Sequence, residues 1–308
     1  MNTAQVGSMA EGSVIHARNL RKQYGRTVAV RDISFDIPKG RIVGLVGPNG
    51  AGKTSVLKAL LGLAGFSGEL SVLGLHPLHD RDELMKNIAF IADVATLPKW
   101  IRVRELVRLM AAVHPMFSVS ECQQYLAETK IGPDDKVKSL SKGMIVQLHL
   151  ALVMAIDAKV LVLDEPTLGL DIMFRKRFYQ HLLEEYFDGE RTIIITTHQI
   201  EEVEHILSDL IFIRDGEIVL HSDMDSVQQR YAEVMVSAEQ LAAARALGPL
   251  HERKVFGRHV LLFENVERER LAQLGELHTP SVADLFVAVM TNGNNAAAAA
   301  SAQTGATA

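Results

Sequence analysis

Between Gly47 and Thr54 the chain reads GPNGAGKT, which fits the pattern G-x-x-x-x-G-K-[ST]. That spacing suits a loop that holds phosphate. Glycines at Gly47, Gly50 and Gly52 let the backbone curl tightly and aim several N–H groups into one concavity. Lys53 can reach terminal phosphates, Thr54 carries a hydroxyl suited to Mg2+, and a helix starting there presents its positive dipole end to an anion. A second chemical feature lies at residues 160–166, VLVLDEP. Asp164 and Glu165 end an apolar run, so both belong at the carboxyl end of a buried strand. Asp164 is suited to the Mg2+ shell, whereas Glu165, one residue further and facing the other way, can polarise a water for attack on a terminal phosphate. Together the two features imply binding and hydrolysis of a nucleoside triphosphate.

These residues need particular elements to position them. RIVGLV, residues 41–46, is apolar and partly β-branched and reads as a strand; TSVLKALLGL, residues 54–63, has helical spacing. That is the strand-loop-helix context the phosphate loop requires. A chance Gly-rich turn would not also supply the strand, the Lys-Thr pair and the helix. Two more motifs follow: LSKGM at 140–144, directly before an apolar-periodic helix to about Ala155, and TTH at 196–198, closing a β-branched run.

In order and spacing, the phosphate loop, LSKGM, VLVLDEP, LGLD (168–171) and the histidine after a strand resemble the ATP-binding subunits of ABC transporters. The resemblance covers roughly residues 14–222. It implies ATP as ligand, with Mg2+, and contacts from Gly47, Pro48, Asn49, Gly50, Ala51, Gly52, Lys53, Thr54 and Ser55. Tyr24 matches the aromatic that stacks on adenine. Ser141 and Gly143 match signature residues that contact ATP held by another subunit, a role a Ser at a helix N-terminus suits through its hydroxyl and the dipole. Asp171 matches the acid of a loop crossing the dimer interface, and His198 the histidine that bonds the terminal phosphate and positions the water.

The chain departs from the family at two places. Asp93 stands where a glutamine is usual; an aspartate can still ligate Mg2+ but adds negative charge and donates no hydrogen bond. Lys142 and Met144 replace a glycine and a glutamine in the signature. ATP binding is expected to survive both.

The resemblance further implies a head-to-tail homodimer around two ATP molecules, since one chain carries every element. It also implies a separately encoded, multi-spanning permease, with this subunit held at the cytoplasmic face of the inner (plasma) membrane. No run reaches the eighteen or so apolar residues of a membrane span; Ile145 to Leu163 is interrupted by Gln147, His149, Asp157 and Lys159. The first residues lack the basic start and apolar middle of a signal peptide. A formal charge of −5 offers no general attraction for nucleic acid. The single Cys122 excludes an internal disulfide and fits burial in a reducing compartment. His76 and His79 lie in a Pro-containing loop without other ligand-type residues nearby in sequence and read as a solvated loop.

The expected fold is α/β: a phosphate-loop ABC ATPase core at 14–222, a helical subdomain inserted at 93–140, a small α+β carboxy-terminal domain at 223–291, a flexible start at 1–13 and a disordered tail at 292–308. Trp100, beside Pro98, is either a contact for the membrane partner or packed on its own subdomain. HTPSVADLFVAVMT, residues 278–291, resembles the end of exporter ATPases, with Ser281 as N-cap of a last helix. A soluble ABC-type ATPase that remodels protein or nucleic-acid complexes is the alternative function.

Overall fold

The computed structural model describes residues 12–92 and 97–291, so the expectation for Asp93 lies outside the described residues. The chain divides into two compact units, residues 1–198 with 206–218 and residues 199–205 with 219–308.

In the first unit, β1 (Ser13–Tyr24) and β2 (Thr27–Pro38) form an antiparallel hairpin. Next come β3 (Ile42–Val46), α1 (Lys53–Leu60) and β4 (Ser67–Val72), the last pairing antiparallel with β1. Then follow α2 (Arg81–Met85), β5 (Ile88–Ile91), α3 (Val103–Val113), α4 (Val119–Ala127), α5 (Lys142–Met154) and β6 (Val160–Asp164). The unit continues through α6 (Ile172–His181), β7 (Thr192–Thr197), β8 (Asp209–Arg214) and the start of β9 (Glu217–Asp223).

The larger sheet has the order β5-β6-β7-β3-β8-β9, and its first five strands run parallel. Every residue of β3, β6 and β7 is buried, which explains their unbroken apolar runs: a parallel strand covered on both faces has no solvated side to alternate with. The order also sets the chemistry. β3, β7 and β6 are neighbours, so the phosphate loop, the TTH segment and the Asp164-Glu165 pair leave the sheet at the same carboxyl edge.

The helical insert has a separate core. Leu106 and Val107 of α3 and Cys122 of α4 pack with Leu148 and Leu152 of α5. Leu148 and Leu152 are four apart and share one helix face. By packing, α5 therefore belongs with the insert, although the sequence reading returned the chain to the nucleotide core at Ser141.

The second unit holds α7 (Met224–Arg230), β10 (Tyr231–Val236), α8 (Leu241–Arg245), β11 (His251–Val255), β12 (Arg258–Glu264), α9 (Arg268–Ala272), β13 (Glu276–His278) and a helix over 282–291. Its sheet is antiparallel in the order β11-β12-β10-β13 and packs Val234, Leu261, Phe263 and Leu271 into a core. The division between units differs from a single cut after residue 222. Residues 199–205 join the second unit, where the Glu204 carboxylate accepts the Val282 N–H at 3.0 Å and so caps the last helix. Ser281 Oγ caps it too, accepting the Asp284 N–H at 3.1 Å.

Candidate functional site

The phosphate loop spans β3 and α1, and two of its glycines are required for different reasons. Gly52 has φ +112°, and a Cβ there would stand 2.4 Å from the Ala29 carbonyl oxygen. Both the conformation and the space exclude other residues. Gly47 makes a close approach instead: a Cβ would lie 2.3 Å from the Ile213 carbonyl oxygen of the neighbouring β8. The sequence reading attributed Gly47 to the curl of the loop; its place is the packing against β8.

A cavity of about 40 Å³ lies elsewhere among α4, α5 and α6, whereas the one at the phosphate loop has about 220 Å³. Ala29, residues 49–55 and the pair Asp164 and Glu165 line the latter. Gly47 and Pro48 contribute through their carbonyls, which accept from Lys53 Nζ at 2.6 and 3.3 Å. Lys53 is buried, and burial pushes its ammonium below the ordinary lysine range while Glu165 and Asp164 pull it back up. A cation is thus held at the mouth of a ring of backbone groups, with two carboxylates opposite.

Asp164 is fixed from two sides. Thr54 Oγ1 donates to its Oδ2 at 3.2 Å and Thr196 Oγ1 to its Oδ1 at 2.5 Å. The Thr54 hydroxyl and Asp164 carboxylate form an oxygen pair of the type Mg2+ prefers. Among the described residues this pair can hold such a cation beside the loop.

Glu165 departs from ordinary backbone geometry, with φ +50°. A non-glycine residue in the left-handed region costs on the order of 1 kcal/mol or more and persists where the surroundings impose it. Here its N–H donates to the Thr196 carbonyl at 3.1 Å and lies 3.2 Å from Thr196 Oγ1. The turn swings its side chain to His198, whose Nδ1 lies 2.8 Å from Glu165 Oε2. The carboxylate is mostly buried and the imidazole half exposed.

The remaining residues expected at the site do not line the cavity. Tyr24 ends β1 and is 46% exposed. Ser141 caps α5, its Oγ accepting the Met144 N–H at 3.2 Å. Asp171 caps α6, its Oδ1 accepting from the Met173 and Phe174 N–H groups at 3.0 Å each. The signature and the LGLD segment meet within the chain, since a Cβ on Gly143 would stand 3.8 Å from the Gly169 carbonyl oxygen. Ala29 gave no signal in the sequence, and Thr196, named there as the start of the TTH motif, was given no role at the site.

Away from the cavity, Cys122 is buried and its thiol is pushed up to about 12 by desolvation, so it is inert at neutral pH. Trp100 is 73% exposed, which answers the alternative left open for it: it does not pack onto its own subdomain. No helix among the described residues is long and apolar enough to cross a membrane.

A family described as ABC transporter matches residues 30–168. The chain is 32% identical over 217 residues to the lantibiotic transport ATP-binding protein SrtF of Streptococcus pyogenes, covering 69% of this chain and 92% of that protein. It is 31% identical over 278 residues to the Nod factor export ATP-binding protein I of Cupriavidus metallidurans, covering 86% and 90%. In fold it is similar to the ATP-binding subunit of an ABC transporter, with a TM-score of 0.65 at 21% identity over 70% of this chain and 92% of that one. A dimeric ATP-binding cassette with ADP and Pi bound has a TM-score of 0.59 at 23% identity, over 68% and 98%. With the phosphate loop, the carboxylate pair and the histidine converging at one sheet edge, and with these relatives, the chain belongs to the ATP-binding subunits of ABC transporters and is an ATP hydrolase of that family.

Proposed function

We propose that this chain powers export, as a head-to-tail homodimer seated on a separately encoded multi-spanning permease at the cytoplasmic face of the membrane. The relative named for Nod factor export supports that direction. The observation that carries the catalytic reading is the Glu165–His198 bond at 2.8 Å, beside a cavity that also holds Lys53 and Asp164.

In this reading the loop N–H groups and Lys53 bind the phosphates of ATP, and Tyr24 stacks on the adenine. Thr54 and Asp164 would hold Mg2+, which when bound neutralises phosphate charge. Glu165 accepts a proton from a water whose oxygen attacks the γ-phosphorus. The bond from that phosphorus to the bridging oxygen breaks and its electron pair leaves with ADP. His198, oriented through Nδ1 by Glu165, turns Nε2 toward the γ-phosphate.

Ser141, Gly143 and Asp171 lie off their own chain's cavity, which fits a role on nucleotide held by the other copy. Leu168, Ile172 and Met173 stand exposed around Asp171, apolar surface that a closed dimer would cover. ATP closes the dimer and hydrolysis lets it open. Trp100, Leu109, Val113 and Met116 are exposed on the helical insert and suit a membrane partner.

Purification of the tagged chain from detergent-solubilised membranes tests the assembly. A multi-spanning protein in stoichiometric amount, whose removal changes the ATPase rate, is expected. An active ATPase with no membrane protein attached would favour a soluble machine.

A further inference from the structure

Tyr24 is half exposed at the end of β1, and such a side chain ordinarily samples several rotamers, which it must give up when a base stacks on it. Its ring is not left free. The Lys22 ammonium sits 4.5 Å from the ring centroid. The same Nζ donates to the Gly65 carbonyl at 2.5 Å. Gly65 belongs to the turn after α1, the helix that starts at the phosphate loop. The cation is therefore tied to the loop-helix element at one side and covers one ring face at the other.

We propose that Lys22 is a positioning residue for the nucleotide base: it clamps one face of Tyr24 against the α1 turn and leaves the other face for the purine. The inference rests on the reading of Tyr24 as the base-stacking residue. Its physical content is pre-organisation. A ring already held in place loses less freedom when the base arrives, so more of the stacking interaction appears as affinity. A cation on the far face also draws π density from the ring, which favours an electron-rich purine on the near face. Lys22 acts on the base through Tyr24 and has no part in phosphate binding.

The test compares Mg-ATP with Mg-tripolyphosphate, a ligand with the same phosphates and no base, by calorimetry on the full chain. Lys22→Met should weaken Mg-ATP by about two- to five-fold, the scale of an exposed cation–π contact. Tripolyphosphate binding should stay unchanged, which also shows the variant is folded. In steady state KM should rise with kcat constant, and Lys22→Arg should restore ATP affinity, since a guanidinium also stacks on a ring. Adding Lys22→Met to Tyr24→Ala should cost nothing more than Tyr24→Ala alone.

Equal weakening of ATP and tripolyphosphate would overturn the proposal, because Lys22 would then act on phosphate charge. Tighter ATP binding by Lys22→Met would also overturn it, because the ammonium would be blocking the stacking face. If Tyr24→Ala weakens ATP but Lys22→Met does not, the clamp is wrong and Tyr24 keeps its role. If Tyr24→Ala leaves ATP binding unchanged, the Tyr24 reading fails and the clamp with it.

Discussion

His198 Nδ1 and Glu165 Oε2 are 2.8 Å apart, although 33 residues separate them in the chain. The bond fixes how protons can be arranged. With Glu165 ionised, Nδ1–H donates to it and a neutral ring leaves Nε2 as an acceptor. Nδ1 is thereby committed to Glu165, and Nε2 is the ring nitrogen left for another partner. The two side chains then work as one unit.

Non-additivity follows. His198→Ala should lower kcat by about 10²-fold with little change in KM, the scale for a positioned group in proton transfer. His198→Ala combined with Glu165→Gln should be no slower than Glu165→Gln alone. Multiplicative losses in steady-state rates would show that the two residues act separately.

Thr196 holds Asp164 Oδ1 at 2.5 Å, as an outer partner that orients a metal-binding oxygen. Thr196→Val should raise the Mg2+ concentration for half-maximal activity by about 10- to 100-fold, the range for losing such a partner. Thr196→Ser should recover most of it. A Mg2+ titration of ATPase rates, with no shift for Thr196→Val, would remove Thr196 from this role.

Composite sites can be tested by mixing. Ser141→Arg should abolish hydrolysis while leaving ATP binding by the monomer unchanged, and Lys53→Ala should remove binding in its own subunit. In a mixed dimer one site carries both defects and the other neither, so activity should reappear. Ser141→Arg monomers unable to bind ATP would place Ser141 in its own chain's pocket.

A pH-dependent prediction concerns the second unit. Burial holds the Glu233 carboxyl above the ordinary range, opposed by Arg253, with Asp284 raising it further. A group with a raised folded pKa contributes stability below its unfolded pKa and loses it as pH rises through the folded value. Gln mimics the protonated form. The melting temperature of Glu233→Gln relative to the parent should therefore become more favourable as pH rises from about 4 to 7. A difference that stays flat or falls over that range would contradict the shift.

Much of the site was legible because phosphate chemistry constrains residue type and spacing together: the loop, Asp164, Glu165 and His198 all sit at one sheet edge. The N-caps Ser141 and Ser281 were equally readable, since a capping oxygen acts within three residues of its own position, whereas the capping of α6 by Asp171 was not read from the sequence. Contacts between distant segments were not. Nothing near Lys22 announces Gly65, and nothing near Gly47 announces Ile213, because both depend on how strands stack rather than on local pattern. The membership of α5 in the helical core was hidden for another reason: the segment reads as apolar-periodic, but the helix is apolar on nearly every side and so does not show which neighbour it faces.

The central claim is that Glu165 takes the proton from the attacking water. Single-turnover hydrolysis of ATP by Glu165→Gln measures it most directly, with ATP affinity measured on the same protein. Affinity close to the parent with hydrolysis slowed by about 10²-fold or more is expected, the scale for losing a positioned general base, and ATP-bound dimers should accumulate in size-exclusion runs. Hydrolysis at the parent rate with ATP fully bound would show that another group takes the proton.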